Sequence, residues 1–346
     1  MTQLPPDPTL PPPPADTRAV PLRFTGRGGE YFGIWIVNLL LSILTLGIYS
    51  AWAKVRRLQY FHRHTLLADS PFDYHGRPGA ILIGRIIALV LLIVYNVAVE
   101  LSPVLAAVAI VALALIFPPL LLRALRFRAH NTSWRGLRFA FDGKNGGAYG
   151  VYLGWLVLSA ITIWLLAPVW YQRMKRYQQQ NLRFGATNFS FSAGAGAFYR
   201  VYLSAFGLML LVVAAAVAIV LTVGPTISAA VLGPAMVVLA MLGVGPYLVA
   251  RLQNLVWNST RIGPHRFESR VSARKLYAIG ITNLIGIVFT LGLFMPFAAI
   301  RSARYRLESV TLITEGSLDD FVAGQSTAAG AAGEGATDLF DVDVAL

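Results

Sequence analysis

Residues 45–54 read Thr-Leu-Gly-Ile-Tyr-Ser-Ala-Trp-Ala-Lys, and the same pattern returns at residues 162–171 and 290–299. The second copy reads Thr-Ile-Trp-Leu-Leu-Ala-Pro-Val-Trp-Tyr, and the third reads Thr-Leu-Gly-Leu-Phe-Met-Pro-Phe-Ala-Ala. Each copy ends an apolar and aromatic stretch of about 25 residues and is followed by Lys and Arg. The chain therefore contains three internal repeats, which predict its layout.

The composition is that of a membrane protein. Hydrophobic residues make up 56% of the chain and charged residues only 13%, whereas soluble domains carry roughly a quarter charged residues. A helix needs about 20 apolar residues to cross a bilayer. Four further stretches satisfy this length, at residues 81–99, 104–122, 201–223 and 227–250.

The distribution of cations predicts the topology. Short loops rich in Lys and Arg stay in the cytoplasm. If the three repeat segments and the four long stretches all crossed the membrane, the loop cations would divide evenly between its two sides. If the repeat segments instead return to the side from which they came, all the loop cations and both termini lie in the cytoplasm.

We therefore expect an all-α integral membrane protein. It has four spanning helices plus three re-entrant or interfacial helical hairpins, at residues 32–53, 149–170 and 276–299, and seven spans are the alternative. A proline or a Thr-Leu-Gly sequence interrupts each hairpin. Short alternating aromatic segments between the helices, such as Phe72-Asp73-Tyr74 and Phe139-Ala140-Phe141, predict cytoplasmic β-hairpins.

Three regions follow from composition. Residues 1–21 are rich in proline and are predicted to be a disordered tail. Residues 22–306 form the polytopic membrane domain, with repeat units at about 22–130, 131–258 and 259–306. Residues 307–346 contain half of the chain's 16 acidic residues and many Ala and Gly, which predicts an acidic cytoplasmic tail.

The motif order resembles that of the YjgN-like family of bacterial inner-membrane proteins. The resemblance is carried by residues 24–35, the repeat motif at residues 45–54, Phe72-Asp73-Tyr74-His75-Gly76 and the acidic C-terminal motifs at residues 318–322 and 338–343. It extends from about residue 22 to the C-terminus. The resemblance implies a multi-pass protein of the bacterial inner membrane and supplies no catalytic residues.

No catalytic, cofactor or metal site is predicted. The chain has no cysteine, and its five histidines, including the pair His62 and His64, do not form a His-Glu-x-x-His pattern. The segment Gly26-Arg27-Gly28-Gly29 lacks the spacing of a phosphate-binding loop. The chain is therefore predicted not to be an enzyme, and its cations occur on no recognisable nucleic-acid-binding module.

Cations at the ends of the apolar segments are predicted to contact anionic headgroups, because each is worth about 1 kcal/mol near such a surface. They are Lys54, Arg56, Arg57, Arg126, Arg173, Arg176, Arg301 and Arg304. Four polar residues are candidate intramembrane sites: Asn38, Arg85, Arg200 and Asn283. Interhelical hydrogen bonds are the simpler interpretation of the two asparagines, and snorkelling to headgroups is the simpler one for the two arginines.

These observations favour a non-enzymatic membrane scaffold or a protein that interacts with anionic phospholipids. The alternative is a transporter or channel for a small solute, for which Arg85 and Arg200 would favour an anion. The intramembrane segments contain no Asp or Glu of the kind that coupled carriers use.

Overall fold

Eleven β-strands form one antiparallel sheet in the computed structural model, which describes residues 17–223 and 229–325 without the side chains of residues 216 and 219–242. The strands are β1 (Thr17–Pro21), β2 (Arg23–Phe24), β3 (Thr65–Leu67), β4 (Ser70–Tyr74), β5 (Thr132–Trp134), β6 (Leu137–Phe141), β7 (Leu182–Phe184), β8 (Thr187–Phe191), β9 (Thr260–Ile262), β10 (His265–Ser269) and β11 (Val310–Glu315). The strand order is β1-β11-β10-β9-β8-β7-β6-β5-β4-β3-β2.

The sheet curves almost into a closed barrel. Its two edge strands, β1 and β2, are separated only by Leu22, whose N–H donates to the carbonyl of Val310 at 3.0 Å. Strand β1 pairs with β11 from Thr17 opposite Glu315, and β2 pairs with β3. The two edge strands are therefore consecutive in the chain and lie side by side. Few strand N–H and C=O groups are left exposed to pair with another molecule.

The helices surround one end of this sheet. They are α1 (Gly28–Leu44), α2 (Ser50–Arg63), α3 (Pro78–Leu101), α4 (Pro103–His130), α5 (Asn145–Tyr149), α6 (Trp155–Ile161), α7 (Ala167–Gln180), α8 (Ala195–Val223), α9 (Ala229–Asn258), α10 (Ala273–Phe289) and α11 (Met295–Glu308). A π-helical segment, Gly150–Gly154, joins α5 to α6. Successive helices pack on each other, and α1 packs on both α2 and α11, so the ring of helices closes as the sheet does.

Five equivalent units make up this ring. In four of them a helix enters a hairpin and the next helix leaves it: α2 to α3, α4 to α5, α7 to α8, and α9 to α10. In the fifth, α11 enters β11 and α1 leaves the neighbouring β1 and β2. A proline stands 14 residues before the first strand residue in four units, at Pro118, Pro168, Pro246 and Pro296. The sequence shows three repeats because only three helix pairs share the Thr-Leu-Gly type of turn.

Aromatic side chains fill the inside of the sheet. Inward and outward positions alternate along each strand, and the buried inward residues include Trp134, Phe184, Phe189, Ile262 and Leu312. Rings on neighbouring strands contact each other, as in Trp134 with Phe184 at 5.7 Å between centroids. Residues 318–325 are helical and pack Leu318, Phe321 and Val322 against the same core.

The repeat threonines close the turns between paired helices. Thr45 donates to the carbonyl of Leu41 at 2.7 Å and accepts the N–H of Tyr49 at 2.9 Å. The carbonyl of Leu41 also accepts the N–H of Thr45, so the hydroxyl adds a second bond to that carbonyl and supplies a partner for an N–H just before α2. Thr290 repeats both bonds at 2.7 and 2.8 Å, and Thr162 repeats them at 2.9 and 3.4 Å. The two residues after each threonine have positive φ, for example Leu46 at 50° and Gly47 at 91°.

The prediction of an all-α protein is wrong, because eleven strands pair in one sheet. The prediction of four spans plus three re-entrant or interfacial hairpins, or of seven spans, is also wrong. Among the described residues three helices are long and apolar enough to cross a membrane: Pro78–Leu101, Pro103–His130 and Ala195–Ala215. Each repeat segment is a pair of short helices around a tight turn, and most side chains of the stretch at residues 227–250 lie outside the described ones.

The predicted tails differ from the structure near the sheet. Thr17–Pro21, at the end of the Pro-rich tail, form β1 because their backbone pairs with β11. In the acidic tail, Val310–Glu315 form β11 and residues 318–325 are helical. Both departures result from pairing between chain ends that are far apart in sequence. Residues 1–16 and 326–346 lie outside the described residues.

Candidate functional site

One arginine occupies the same register in each of the five units. It stands nine residues before the first strand residue, at the border between the apolar and the polar part of the helix that enters the sheet. We call this set the arginine ring: Arg56, Arg123, Arg173, Arg251 and Arg301. All five side chains are exposed. In α4 the border is sharp, since an apolar run ends at Leu122.

None of the arginine-ring side chains forms an ion pair with a carboxylate in the described part of the chain. Three of them lie over aromatic rings: Arg56 over Tyr49 at 5.9 Å, Arg173 over Trp155 at 5.4 Å and Arg251 over Tyr247 at 5.4 Å. Arg301 donates to Asn283 Oδ1 at 2.9 Å and to Thr282 Oγ1 at 3.0 Å. The positive charges are therefore oriented by neutral groups and available to an external anion.

Arg56, Arg173 and Arg301 of this ring are among the residues predicted from the sequence to contact headgroups, whereas Arg251 is not. The five become equivalent only when counted back from the start of a strand. Strands as short as Thr65–Leu67 give no periodicity from which that start can be placed.

The other predicted headgroup cations lie on the same helices. Arg126 donates to the carbonyl of Gly143 at 2.7 Å, and Arg304 donates to that of Gly26 at 2.6 Å, so both also hold the chain entering the next helix. Arg57 lies 5.8 Å from the centre of the Phe61 ring. Lys54 and Arg176 are exposed.

The four intramembrane candidates are not brought together. Asn283 is buried and donates to Ala298 O and Ser302 Oγ at 3.3 and 3.1 Å. Asn38 is also buried, and its Oδ1 has no partner among the described residues. Arg85 donates to Ser50 Oγ, which joins α3 to α2. Arg200 lies in a cleft between α8 and α9.

This cleft has a volume of about 440 Å³. Arg200 and Arg251 contribute charge, and Asn258 contributes an amide. Apolar walls come from Ala197, Val201 and Leu255. No carboxylate lines the cleft.

A second group of cations interacts with residues on helices that are not neighbours in the ring. Arg306 of α11 donates to Gln253 Oε1 of α9 at 2.7 Å, although α10 separates these helices along the ring. Burial lowers the pKa of Lys175 on α7, and the charge of Arg128 on α4 lowers it further. Burial likewise lowers the pKa of His62 on α2, with a smaller effect of Arg128 in the same direction. The charge of Arg128 on α4 therefore acts on side chains of α7 and α2.

The histidines are held by the fold. His62 Nδ1 and His64 Nδ1 each lie 2.7 Å from a backbone carbonyl one turn earlier, at Leu58 and Tyr60. His75 Nε2 lies 2.8 Å from Ser133 Oγ. Within the described residues no three His, Asp or Glu side chains converge as metal ligands.

Comparison with known proteins gives one family and several relatives. A family profile described as "Bacterial protein of unknown function (DUF898)" matches residues 19–339. Inner membrane protein YjgN of Salmonella typhimurium (strain LT2) is 32% identical over 146 residues, which cover 42% of this chain and 37% of the relative. Inner membrane protein YjgN of Escherichia coli (strain K12) is 29% identical over 140 residues, covering 40% and 35%. The aligned part thus spans little more than a third of these relatives. No solved structure matches.

Proposed function

The chain belongs to the DUF898 family of bacterial proteins of unknown function, and we propose that it binds anionic phospholipids in the inner membrane through the arginine ring. Its resemblance to YjgN-like proteins is confirmed by relatives named inner membrane protein YjgN, and its helices include three able to cross a bilayer. An inner-membrane location is therefore established. The cytoplasmic position of both termini stays a prediction.

The observation that carries the proposal is the shared register of five exposed arginines without carboxylate partners in the described residues. A guanidinium pairs with phosphate through two parallel hydrogen bonds, and Arg is suited to that geometry. The ring lies where apolar helix surface ends, which is the level at which cations meet headgroups. Binding of anionic lipid would neutralise five charges that the protein itself leaves uncompensated.

Apolar side chains beyond the ring fit the acyl chains. On α3 and α4 many are exposed, such as Ile93 and Val111 at 52% and 59%. The turns of the three short helix pairs are more exposed still, with Leu46 and Leu291 at 95% and Ile163 at 88%. Soluble proteins rarely expose apolar surface of this extent. Lipid contact on one side of the ring and water on the other would fix the depth of the arginines.

The test compares two fivefold variants of equal charge. One changes the arginine ring to glutamine, as Arg56→Gln, Arg123→Gln, Arg173→Gln, Arg251→Gln and Arg301→Gln. The other changes five exposed arginines of the sheet: Arg18, Arg23, Arg138, Arg261 and Arg266. Retention of phosphatidylglycerol relative to phosphatidylcholine is measured by native mass spectrometry. We expect the ring variant to lose at least about tenfold in preference and the sheet variant to keep it. Equal behaviour of the two variants would refute the proposal.

A second candidate function is transport of a small anionic solute, favoured by the cations Arg128, Lys175 and Arg306, which interact between non-adjacent helices. The aromatic filling of the sheet and the packing of residues 318–325 oppose an open path. Thermal stabilisation by a small anion that disappears in Arg128→Gln/Lys175→Gln, but not in Arg18→Gln/Arg261→Gln, would favour this function. If no small anion stabilises the protein, transport of an anionic solute is excluded.

A further inference from the structure

The cleft between α8 and α9 places two arginines from neighbouring helices around one space. Arg200 lies near the start of α8 and Arg251 near the end of α9, so both are at the end of these helices that faces the sheet. Neither guanidinium donates a hydrogen bond to another described residue, and that of Arg251 lies 5.4 Å from the centre of the Tyr247 ring. Two like charges in a space of about 440 Å³ repel each other. An anion between them removes that repulsion.

The remaining polar groups of the cleft show which donors are free. Tyr247 donates to Ser204 Oγ at 2.9 Å, and Ser204 donates to the carbonyl of Val201 at 2.8 Å, so these hydroxyl protons are used. Asn254 is bonded at both ends of its amide, to Val271 and Ser269. Asn258 uses only Oδ1, which accepts the N–H of Ser269 at 2.5 Å. The two guanidiniums and the Asn258 NH₂ group are therefore left to bind a ligand.

Cationic, planar donors of this kind select an oxyanion. A phosphate group offers several oxygens and accepts bidentate bonds from two arginines at once. A carboxylate has two oxygens and satisfies one such fork. The chemistry of the cleft thus favours a phosphate ester.

The surroundings favour a lipid as the source of that phosphate. Ala197, Val201 and Leu255 line the cleft beside the arginines. One turn further along α8, Leu203 and Phe206 are 64% and 52% exposed. A headgroup in the cleft would leave its acyl chains on this apolar face. A free phosphate would gain nothing from it.

We propose that the cleft formed by Arg200, Arg251 and Asn258 is a specific binding site for the phosphate of one anionic phospholipid headgroup. This site rests on the proposed function and narrows it. The arginine ring supplies a general preference for anionic lipid, whereas the cleft holds a single molecule.

The test uses the full chain in mild detergent and native mass spectrometry with phosphatidylglycerol or phosphatidylcholine. The variant is Arg200→Gln/Arg251→Gln. Its matched control is Arg18→Gln/Arg261→Gln, which removes two exposed arginines of the sheet and leaves both the arginine ring and the cleft intact. We expect the cleft variant to lose the most tightly held phosphatidylglycerol, with at least about tenfold weaker retention. The control should keep this last molecule.

The variant Arg200→Lys/Arg251→Lys is a control for misfolding. It retains both charges and loses the bidentate geometry. Its retention should fall between the wild type and the glutamine variant. Equal retention by the cleft variant and the control would overturn the site while leaving the arginine ring in place. A variant with the other four ring arginines changed, Arg56→Gln, Arg123→Gln, Arg173→Gln and Arg301→Gln, leaves the cleft intact. If this variant prefers phosphatidylglycerol as strongly as the wild type while the cleft variant does not, the arginine ring is overturned and the cleft stands.

The source of the phosphate is tested by thermal shift with inorganic phosphate and with glycerol 3-phosphate in the absence of lipid. The lipid source predicts that neither stabilises the protein at millimolar concentration. Saturable stabilisation by inorganic phosphate, lost in the cleft variant, would assign the site to a soluble anion and overturn the lipid source.

Discussion

The hydroxyl of Tyr60 and the backbone of Arg27 form two hydrogen bonds, because Tyr60 Oη accepts the N–H of Arg27 at 2.8 Å and donates to its carbonyl at 3.0 Å. The same contact recurs 33 residues apart in the other short helix pairs. Tyr177 donates to the carbonyl of Lys144 at 2.9 Å, and Tyr305 accepts the N–H of Ser272 at 2.7 Å. Each tyrosine connects the start of one helix of a pair to the end of the other, and the second helix is the one that carries Arg56, Arg173 or Arg301.

Removing one of these hydroxyls should destabilise the fold. We expect Tyr60→Phe to lower the free energy of unfolding by about 1–2 kcal/mol, because two backbone groups of Arg27 lose their partner. Thermal unfolding followed by circular dichroism measures this change. Tyr49→Phe is the control, since the Tyr49 hydroxyl forms no hydrogen bond with the described residues. An equal effect of both substitutions would contradict the role of the hydroxyl.

The repeat threonines should also matter individually. Thr290→Val keeps the shape of the side chain and removes its bonds to Gly286 O and Phe294 N–H. Loss of such a cap costs about 0.5–2 kcal/mol, and the same unfolding experiment detects it. Thr311→Val on β11 serves as control, because that hydroxyl is not hydrogen-bonded to any described residue. If Thr290→Val unfolds like the wild type, the turn does not depend on its hydroxyl.

Glycine at the junction between sheet and helix is needed for space. A Cβ on Gly143 would lie 2.5 Å from both Phe141 Cε1 and Tyr177 Oη, whereas a Cβ on Gly146 would meet nothing within 4 Å. We therefore expect Gly143→Ala to cost about 1–3 kcal/mol of stability through overpacking. Gly146→Ala should be neutral or slightly stabilising. Indistinguishable melting temperatures for the two variants would show that the rings move aside freely.

Acid should destabilise the sheet through His265. Its side chain is buried beside Phe321, with ring centroids 4.6 Å apart, and burial lowers its pKa from 6.5, opposed by the charge of Glu315. Above that value the imidazole is neutral in both states. Below pH 6.5 the unfolded chain binds a proton that the folded chain does not. The free energy of unfolding therefore decreases as the pH is lowered, by up to about 1.4 kcal/mol per pH unit.

His265→Gln isolates this contribution. Glutamine keeps an acceptor for the N–H of Glu315, which His265 Nδ1 accepts at 3.2 Å, and does not titrate. The difference between the free energies of unfolding at about pH 7.5 and at about pH 5.5 should be smaller for this variant than for the wild type. His62, whose pKa is also lowered, contributes equally to both proteins. The same pH dependence in both would exclude His265.

The sequence predicted the local motifs and missed their assembly. The three threonine turns were visible because a distinctive apolar motif marks each one. Two units escaped detection, since their helices continue to Ser102-Pro103 and toward residue 224 without that motif. The closing pair of strands joins Thr17 to Glu315, and no local pattern reports a pairing over such a distance. The short hairpins were predicted, but their union into one sheet was not.

The candidate site was predicted in part for the same reason. Arg56, Arg173 and Arg301 follow the repeat turns and were selected with neighbours such as Arg126 and Arg304. Arg126 and Arg304 turned out to bind backbone carbonyls within the protein. Composition cannot separate a cation that holds the chain from one that faces a ligand. That distinction needs the register set by the sheet.

The depth of the arginine ring in a bilayer decides whether these residues can bind lipid phosphates. The chain contains no cysteine, so single cysteines can be placed at residues 56, 123, 173, 251 and 301 in turn and labelled with a nitroxide in phosphatidylglycerol nanodiscs. Relative accessibility to oxygen and to a nickel chelate gives the depth of each label. We expect all five labels to lie at one depth, at the level of the lipid phosphates. Labels in bulk water, or depths spread over more than about 10 Å of the roughly 30 Å hydrocarbon core, would contradict it.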